Sequence, residues 1–154
     1  MEINGLPLHP LAVHGAVVLA PLAALLAIAY VVPPWREGLR WPLLVGAVLA
    51  VATVVLAYLS GDSFRDANAF FNDPAIPATA RIDTHEDYGW LLLWVTVGFA
   101  VVALLNVALH RVEARWVRVL LPLVLVVDAV SVLVLVFLTG EAGAKAVWGE
   151  GYAG

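Results

Sequence analysis

The chain has 154 residues, of which 63% are hydrophobic and only 13% charged, with a net charge of −4 and no cysteine. An ordinary soluble domain carries about 25% charged residues. The composition excludes a disordered chain, a nucleic-acid binder and a disulfide-stapled secreted module. A soluble protein this apolar could not cover its own surface, so the chain reads as one integral membrane domain, residues 1–154.

Four apolar stretches, about 10–32, 41–60, 85–109 and 116–139, reach the roughly 20 residues that a helix needs to cross hydrocarbon. Each is apolar around its whole circumference, as a span is and a surface helix is not. Barrel strands would be short and alternating, so these are helices. The first has no Lys or Arg before it and no small-residue cleavage site, so it does not read as a cleaved signal peptide. The fold class predicted is all-α, an integral membrane up-down four-helix bundle.

The connections set the orientation. The two short turns hold Arg36 and Arg40, then Arg111, Arg115 and Arg118, and the positive-inside rule assigns them to the cytoplasm. Arg65, Arg81 and Lys145 fall on the other side with most of the acids: Glu2, Asp62, Asp66, Asp73, Asp83, Glu86, Asp87, Glu141 and Glu150. The expected arrangement is a multi-pass membrane protein with both termini extracytoplasmic. In the outer loop, 61–84, the spacing of Phe64, Ala67, Phe70 and Phe71 predicts a short surface helix over 63–71. Asp73-Pro74 then breaks it, and Pro77 keeps the next stretch extended. Trp41, Trp90, Trp116 and Trp148 lie near span ends, as an aromatic belt does.

Three of the four histidines fall on the outer side. Pro10 suits a first helical position, which makes His9 the cap and sets His14 about 6 Å further in. Thr84 and Asp87 suggest a capping box that starts the third span beside His85. Spans one and three lie on a diagonal of an up-down bundle, so His14 and His85 are expected to face each other. Such a pair suits a b-type haem, wrapped by Val17, Val18, Leu92 and Leu93, with His9 as a further candidate. No C-x-x-C-H motif is present, which excludes covalent attachment. Alternatively His14, His85 and an outer carboxylate such as Glu141, Asp62 or Glu86 hold zinc or copper. The plain alternative is that the histidines cap helices and bind no cofactor. His110, among arginines at the inner end, reads as a solvated interface residue.

Asp128 falls near the middle of the fourth span, where an ionisable group is a functional candidate by default. Thr53 and Thr96 lie at similar depth, Ser131 is one turn from Asp128, and Pro21 frees a carbonyl near that level. Together they predict a polar midplane layer, with Asp128 facing inward as a helix tie, a proton relay or a quinone-site group. Gly140 is expected to end the fourth helix, and the small residues after it to let Glu141 lie over the outer mouth.

The run Gly5-Leu6-Pro7-Leu8-His9-Pro10-Leu11-Ala12-Val13-His14 resembles the L-H-P-x-x-V-H start of a bacterial membrane family, domain of unknown function 2231. The resemblance continues at Ser60-Gly61, at His85 with Gly89, and at Gly140-Glu141-Ala142-Gly143-Ala144-Lys145-Ala146-Val147-Trp148-Gly149. It implies a four-span bundle, and fusion of some members to Rieske-type iron–sulfur domains implies membrane redox work, by analogy. The family pattern falls here on His9, His14 and His85. It departs at Glu141, where relatives often carry His, and at Gly15-Ala16, where an apolar residue and Pro are usual.

The leading expectation is therefore a haem-carrying electron-transfer protein, with quinone and an outer redox protein as partners besides the bilayer. The alternatives are a non-catalytic accessory or assembly subunit, in a homo- or hetero-oligomer, or a small metal-binding or transport protein. No Ser-His-Asp set, phosphate loop or nucleotide fingerprint is present, so the chain is not expected to be an enzyme on its own.

Overall fold

The computed structural model describes residues 1–73 and 75–149. Pro74 and Glu150, invoked above, lie outside the described residues, as do the side chains of Glu2 and Phe70. Two-residue strands, Glu2–Ile3 and Leu6–Pro7, pair antiparallel across Asn4 and Gly5, whose φ of 52° and 76° suit the tight turn between them. Four helices follow: α1 (Leu8–Tyr30), α2 (Arg36–Asp66), α3 (Pro77–Ala108) and α4 (Arg115–Trp148). All four are long and apolar enough to cross a membrane.

At the arginine-bearing end the connections, 31–35 and 109–114, are short. Tyr30 ends α1 just before Pro33-Pro34, whose residues form a 3-10 turn because proline cannot continue the hydrogen-bond ladder. The boundaries at the histidine-bearing end differ from expectation. Helix α2 runs unbroken to Asp66, so 63–71 is not a separate surface helix. Only Ala69–Asn72 forms a short 3-10 turn after it. Pro77 starts α3 instead of holding an extended stretch, because a helix's first turn has no use for the missing N–H. Thr84 therefore lies inside α3 and donates to the Ala80 carbonyl, and no capping box forms. Helix α1 begins at Leu8 with Pro7 as its cap, two residues ahead of the expected cap His9. Gly140 does not end α4, which continues to Trp148. At 1.5 Å per residue, α2, α3 and α4 are each about 45–50 Å long against a hydrocarbon core of about 30 Å. The excess projects at the end that carries His9 and His85.

Helix α1 packs through small residues. Ala16, Ala20, Ala23, Ala24 and Ala27 form a buried stripe against Leu43, Ala47, Ala50 and Val54 of α2. Small side chains let two backbones approach, which is how helices associate where lipid is as apolar as the core. The second hairpin fills the same space with Leu92, Phe99 and Ala103 against Leu125, Ala129 and Val132. Each helix neighbours two others, leaving α1 and α3 on one diagonal and α2 and α4 on the other.

The two hairpins are related by an approximate two-fold axis along the bundle. His9 and His85, separated by 76 residues, meet at one end. Tyr30 and Asn106, again 76 apart, meet at the other, where the Tyr30 hydroxyl donates to the Asn106 carbonyl at 3.1 Å. Since each contact joins equivalent positions of α1 and α3, the axis passes between those helices along their length.

Candidate functional site

The histidine end is built twice over. The His9 ring seats against Gly61 of α2, where an added Cβ would lie 3.1 Å from its Cε1. The His85 ring seats against Gly143 of α4, where a Cβ would lie 3.0 Å from its Nδ1. One turn before each glycine, a carbonyl takes the ring's Nδ1 proton: Ala57 for His9 at 2.9 Å and Thr139 for His85 at 2.8 Å. A carbonyl can only accept, so Nδ1 carries the proton in both rings and Nε2 keeps its lone pair. Neither Nε2 has a hydrogen-bond partner among the described residues. The rings are half-buried and meet edge to face, with centroids 6.2 Å apart.

The surroundings are partly aromatic and partly polar. Phe64 stacks on His9 at 6.1 Å and continues to Phe71. The buried Ser60 hydroxyl donates to the same Ala57 carbonyl at 3.0 Å. Thr139 Oγ1 is buried without a hydrogen-bond partner among the described residues. Over the top, Arg65 joins α2 to α3 by pairing with Asp83 and Glu86, and its Nε donates to Asn72.

The remaining expected residues fall elsewhere. His14 does not face His85. It is exposed, and its Nδ1 donates to the Pro10 carbonyl of its own helix at 2.5 Å. The cause is the phase of α1: its buried face runs through Ala12, Ala16, Ala20 and Ala23, which His9 continues at helical spacing, while His14, five residues on, points away from the core. Val17 and Val18 are 48% and 54% exposed, while Leu92 is buried and Leu93 half-buried, so only one side of the expected haem wrap exists. Glu141 is exposed and pairs with Lys145 at 2.7 Å instead of covering the mouth. Among the described residues, no three His, Asp or Glu side chains gather as a metal-binding group, which removes the set of His14, His85 and Glu141.

The midplane layer is not a connected network. Thr96 is fully buried and donates to Leu92 at 2.7 Å; Thr53 donates to Leu49 at 2.8 Å; Ser131 donates to Val127. Each hydroxyl thus closes on its own helix. Asp128 is half-exposed on the flank of the Leu125, Ala129 and Val132 stripe, with no hydrogen bond or ion pair among the described residues. It does not point fully inward, because the inward positions of α4 are filled by that stripe. Sequence reasoning missed the polar group that does join helices, Asn106, whose Nδ2 reaches the Leu121 carbonyl of α4 at 3.1 Å. It also missed the equivalence of Gly61 and Gly143, which lie 52 residues after His9 and 58 after His85, a difference in spacing that hides the pair in the sequence.

Four membrane-length helices packed as two equivalent hairpins define a multi-pass membrane bundle with a histidine pair at one end. The chain belongs to the family described as predicted membrane protein (DUF2231), whose model matches residues 5–153. No curated protein and no solved structure matches it.

Proposed function

We propose that the protein holds a single transition-metal centre between His9 and His85 at the extracytoplasmic face of the bacterial inner membrane. The observation that carries this is the shared tautomer: both rings are anchored through Nδ1, which leaves both Nε2 lone pairs free. Metal-ligating histidines are oriented by such a hydrogen bond on the other nitrogen. Two imidazoles bound about 2 Å on either side of one ion put their centroids about 6 Å apart, close to the 6.2 Å here. Two protein ligands leave coordination positions open, as in sites that hand on an ion or an electron and unlike closed structural sites.

A bare copper or zinc ion suits this packing best. The backbone does the positioning. The Ala57 and Thr139 carbonyls fix the ring planes, and the two glycine notches stop the rings from retreating. Haem b, the iron of which the same nitrogens would hold, is the second reading. It is favoured by the origin of the two ligands on diagonal helices related by the two-fold axis. It requires the two hairpins to part at this end, since both rings already pack on glycine. Bound haem would supply one-electron chemistry toward quinone or an outer redox protein.

The assignment of faces rests on five of the eight basic residues lying at the opposite end. The test uses the full chain purified in detergent, with elemental analysis and oxidised and dithionite-reduced spectra. About one copper, zinc or haem per chain is expected, lost in His9→Ala and in His85→Ala and kept in His14→Ala. A Soret band selects haem. A chain free of metal and haem after reconstitution, or His9→Ala and His85→Ala variants that bind as well as wild type, overturns the proposal and leaves the rings as clips between helices.

A further inference from the structure

The opposite end of the bundle carries a second polar site. Between the end of α1, the starts of α2 and α4 and the end of α3 lies a recess of about 20 Å³. Tyr30, Arg36, Asn106, His110 and Arg118 contribute its polar lining. The acceptors around it are already engaged. The Asn106 carbonyl takes the Tyr30 hydroxyl, and His110, whose Nδ1 donates to Val107, accepts from Arg40 Nη1 through Nε2 at 3.4 Å. Donors are left over. Arg36 Nη2 reaches the Val31 carbonyl at 3.3 Å, while Arg36 Nε is buried without an acceptor among the described residues, as is Arg40 Nε. The carboxylate of Glu37 is taken by Arg40 at 3.2 Å, and Glu113 is exposed. Neither Arg36 nor Arg118 has an ion-pair partner among the described residues.

Both α2 and α4 start at this end, so their positive dipole ends add to the same field. A buried guanidinium N–H without an acceptor is unfavourable, and a planar fork of such donors matches a phosphate oxygen. We propose that this recess binds a phosphate group, one oxygen of which enters between Arg36 and Arg118. A recess of this size accepts about one oxygen-sized atom, so the rest of the group stays at the surface. Trp35, Trp41 and Trp116, all more than half exposed, stand at the same end as interfacial anchors. The phosphate therefore lies at headgroup level, and its two sources are an anionic phospholipid or inorganic phosphate.

The test is a melting-temperature and native-mass-spectrometry titration of delipidated full-length protein with phosphatidylglycerol, phosphatidylcholine and inorganic phosphate. Phosphatidylglycerol is expected to remain bound and raise the melting temperature, and phosphatidylcholine is not. Arg36→Gln and Arg118→Gln should each weaken phosphatidylglycerol binding by about tenfold. Arg111→Gln, exposed and outside the recess, should leave it unchanged. Arg118 is itself exposed, so its variant keeps the test open if Arg36→Gln fails to fold. Inorganic phosphate that binds with the same arginine dependence identifies the free anion as a ligand too. Phosphatidylcholine equal to phosphatidylglycerol with no binding of inorganic phosphate, or an Arg118→Gln variant that binds like wild type, overturns the proposal.

Discussion

Gly143→Ala is the most direct perturbation of the histidine end. A Cβ at position 143 would lie 3.0 Å from His85 Nδ1 and 3.1 Å from Cε1. The ring cannot retreat freely, because its Nδ1 is held by the Thr139 carbonyl at 2.8 Å. Ala in place of a helical Gly is worth about 0.5–1 kcal/mol in favour of folding. Overpacking opposes it by about 1–3 kcal/mol, and a lost hydrogen bond by about 0.5–1.5 kcal/mol. The net is a destabilisation of about 0.5–4 kcal/mol, or about 1–16 °C in melting temperature for a chain of this size. Gly140→Ala and Gly98→Ala are the controls: a Cβ at either meets nothing within 4 Å. Both should be neutral or stabilising by up to about 1 kcal/mol. Thermal melts in one detergent measure all three. In a His85→Ala background the Gly143→Ala penalty should vanish, since no ring is left to clash. A Gly143→Ala protein as stable as Gly140→Ala, or a penalty that survives loss of His85, refutes the notch.

Asn106→Leu removes the amide that crosses from α3 to the Leu121 carbonyl and should lower stability by about 1–2 kcal/mol. Thr96→Val breaks only a bond within its own turn and should stay within about 1 kcal/mol of wild type in the same melts. Asp128→Leu removes a half-exposed carboxyl without a partner among the described residues from a membrane span. It should raise thermal stability, and a fall of more than about 1 kcal/mol would reveal a tie to another group. Arg65→Gln breaks the links to Asp83, Glu86 and Asn72 and should speed amide exchange over 64–73. Global stability should drop by less than about 1 kcal/mol, as for exposed ion pairs.

The four spans were legible because hydropathy and length alone decide whether a segment crosses hydrocarbon. The turns at the arginine-bearing end were legible because Pro33-Pro34 and the arginines mark them locally. The boundaries at the histidine-bearing end were not. Pro77 can end an extended stretch or begin a helix, and Gly140 can end a helix or lie within one; the choice depends on what the projecting turns pack against. The histidine site was half visible. Clustering of imidazoles is a property of the chain, and the structure has His85 within α3 beside His9 and not at a helix start. The partner of His85 depended on the phase of α1, which the packing of the Ala12, Ala16, Ala20 and Ala23 face against α2 and α4 sets. That phase turns His9 toward the axis and His14 away from it, and an almost wholly apolar helix does not mark its inward face in the sequence.

Low charge and length by themselves determined a membrane bundle with a basic end and a histidine end, since transfer of side chains into lipid depends on composition and not on partners. Only the tertiary structure decided that the bundle is two equivalent hairpins, with His9 and His85 clipped to carbonyls and seated in glycine notches. Those contacts join residues 48 to 58 positions apart. The physical reason is that a ring's tautomer and direction are set by which backbone carbonyl comes within 3 Å, and that depends on how the helices pack.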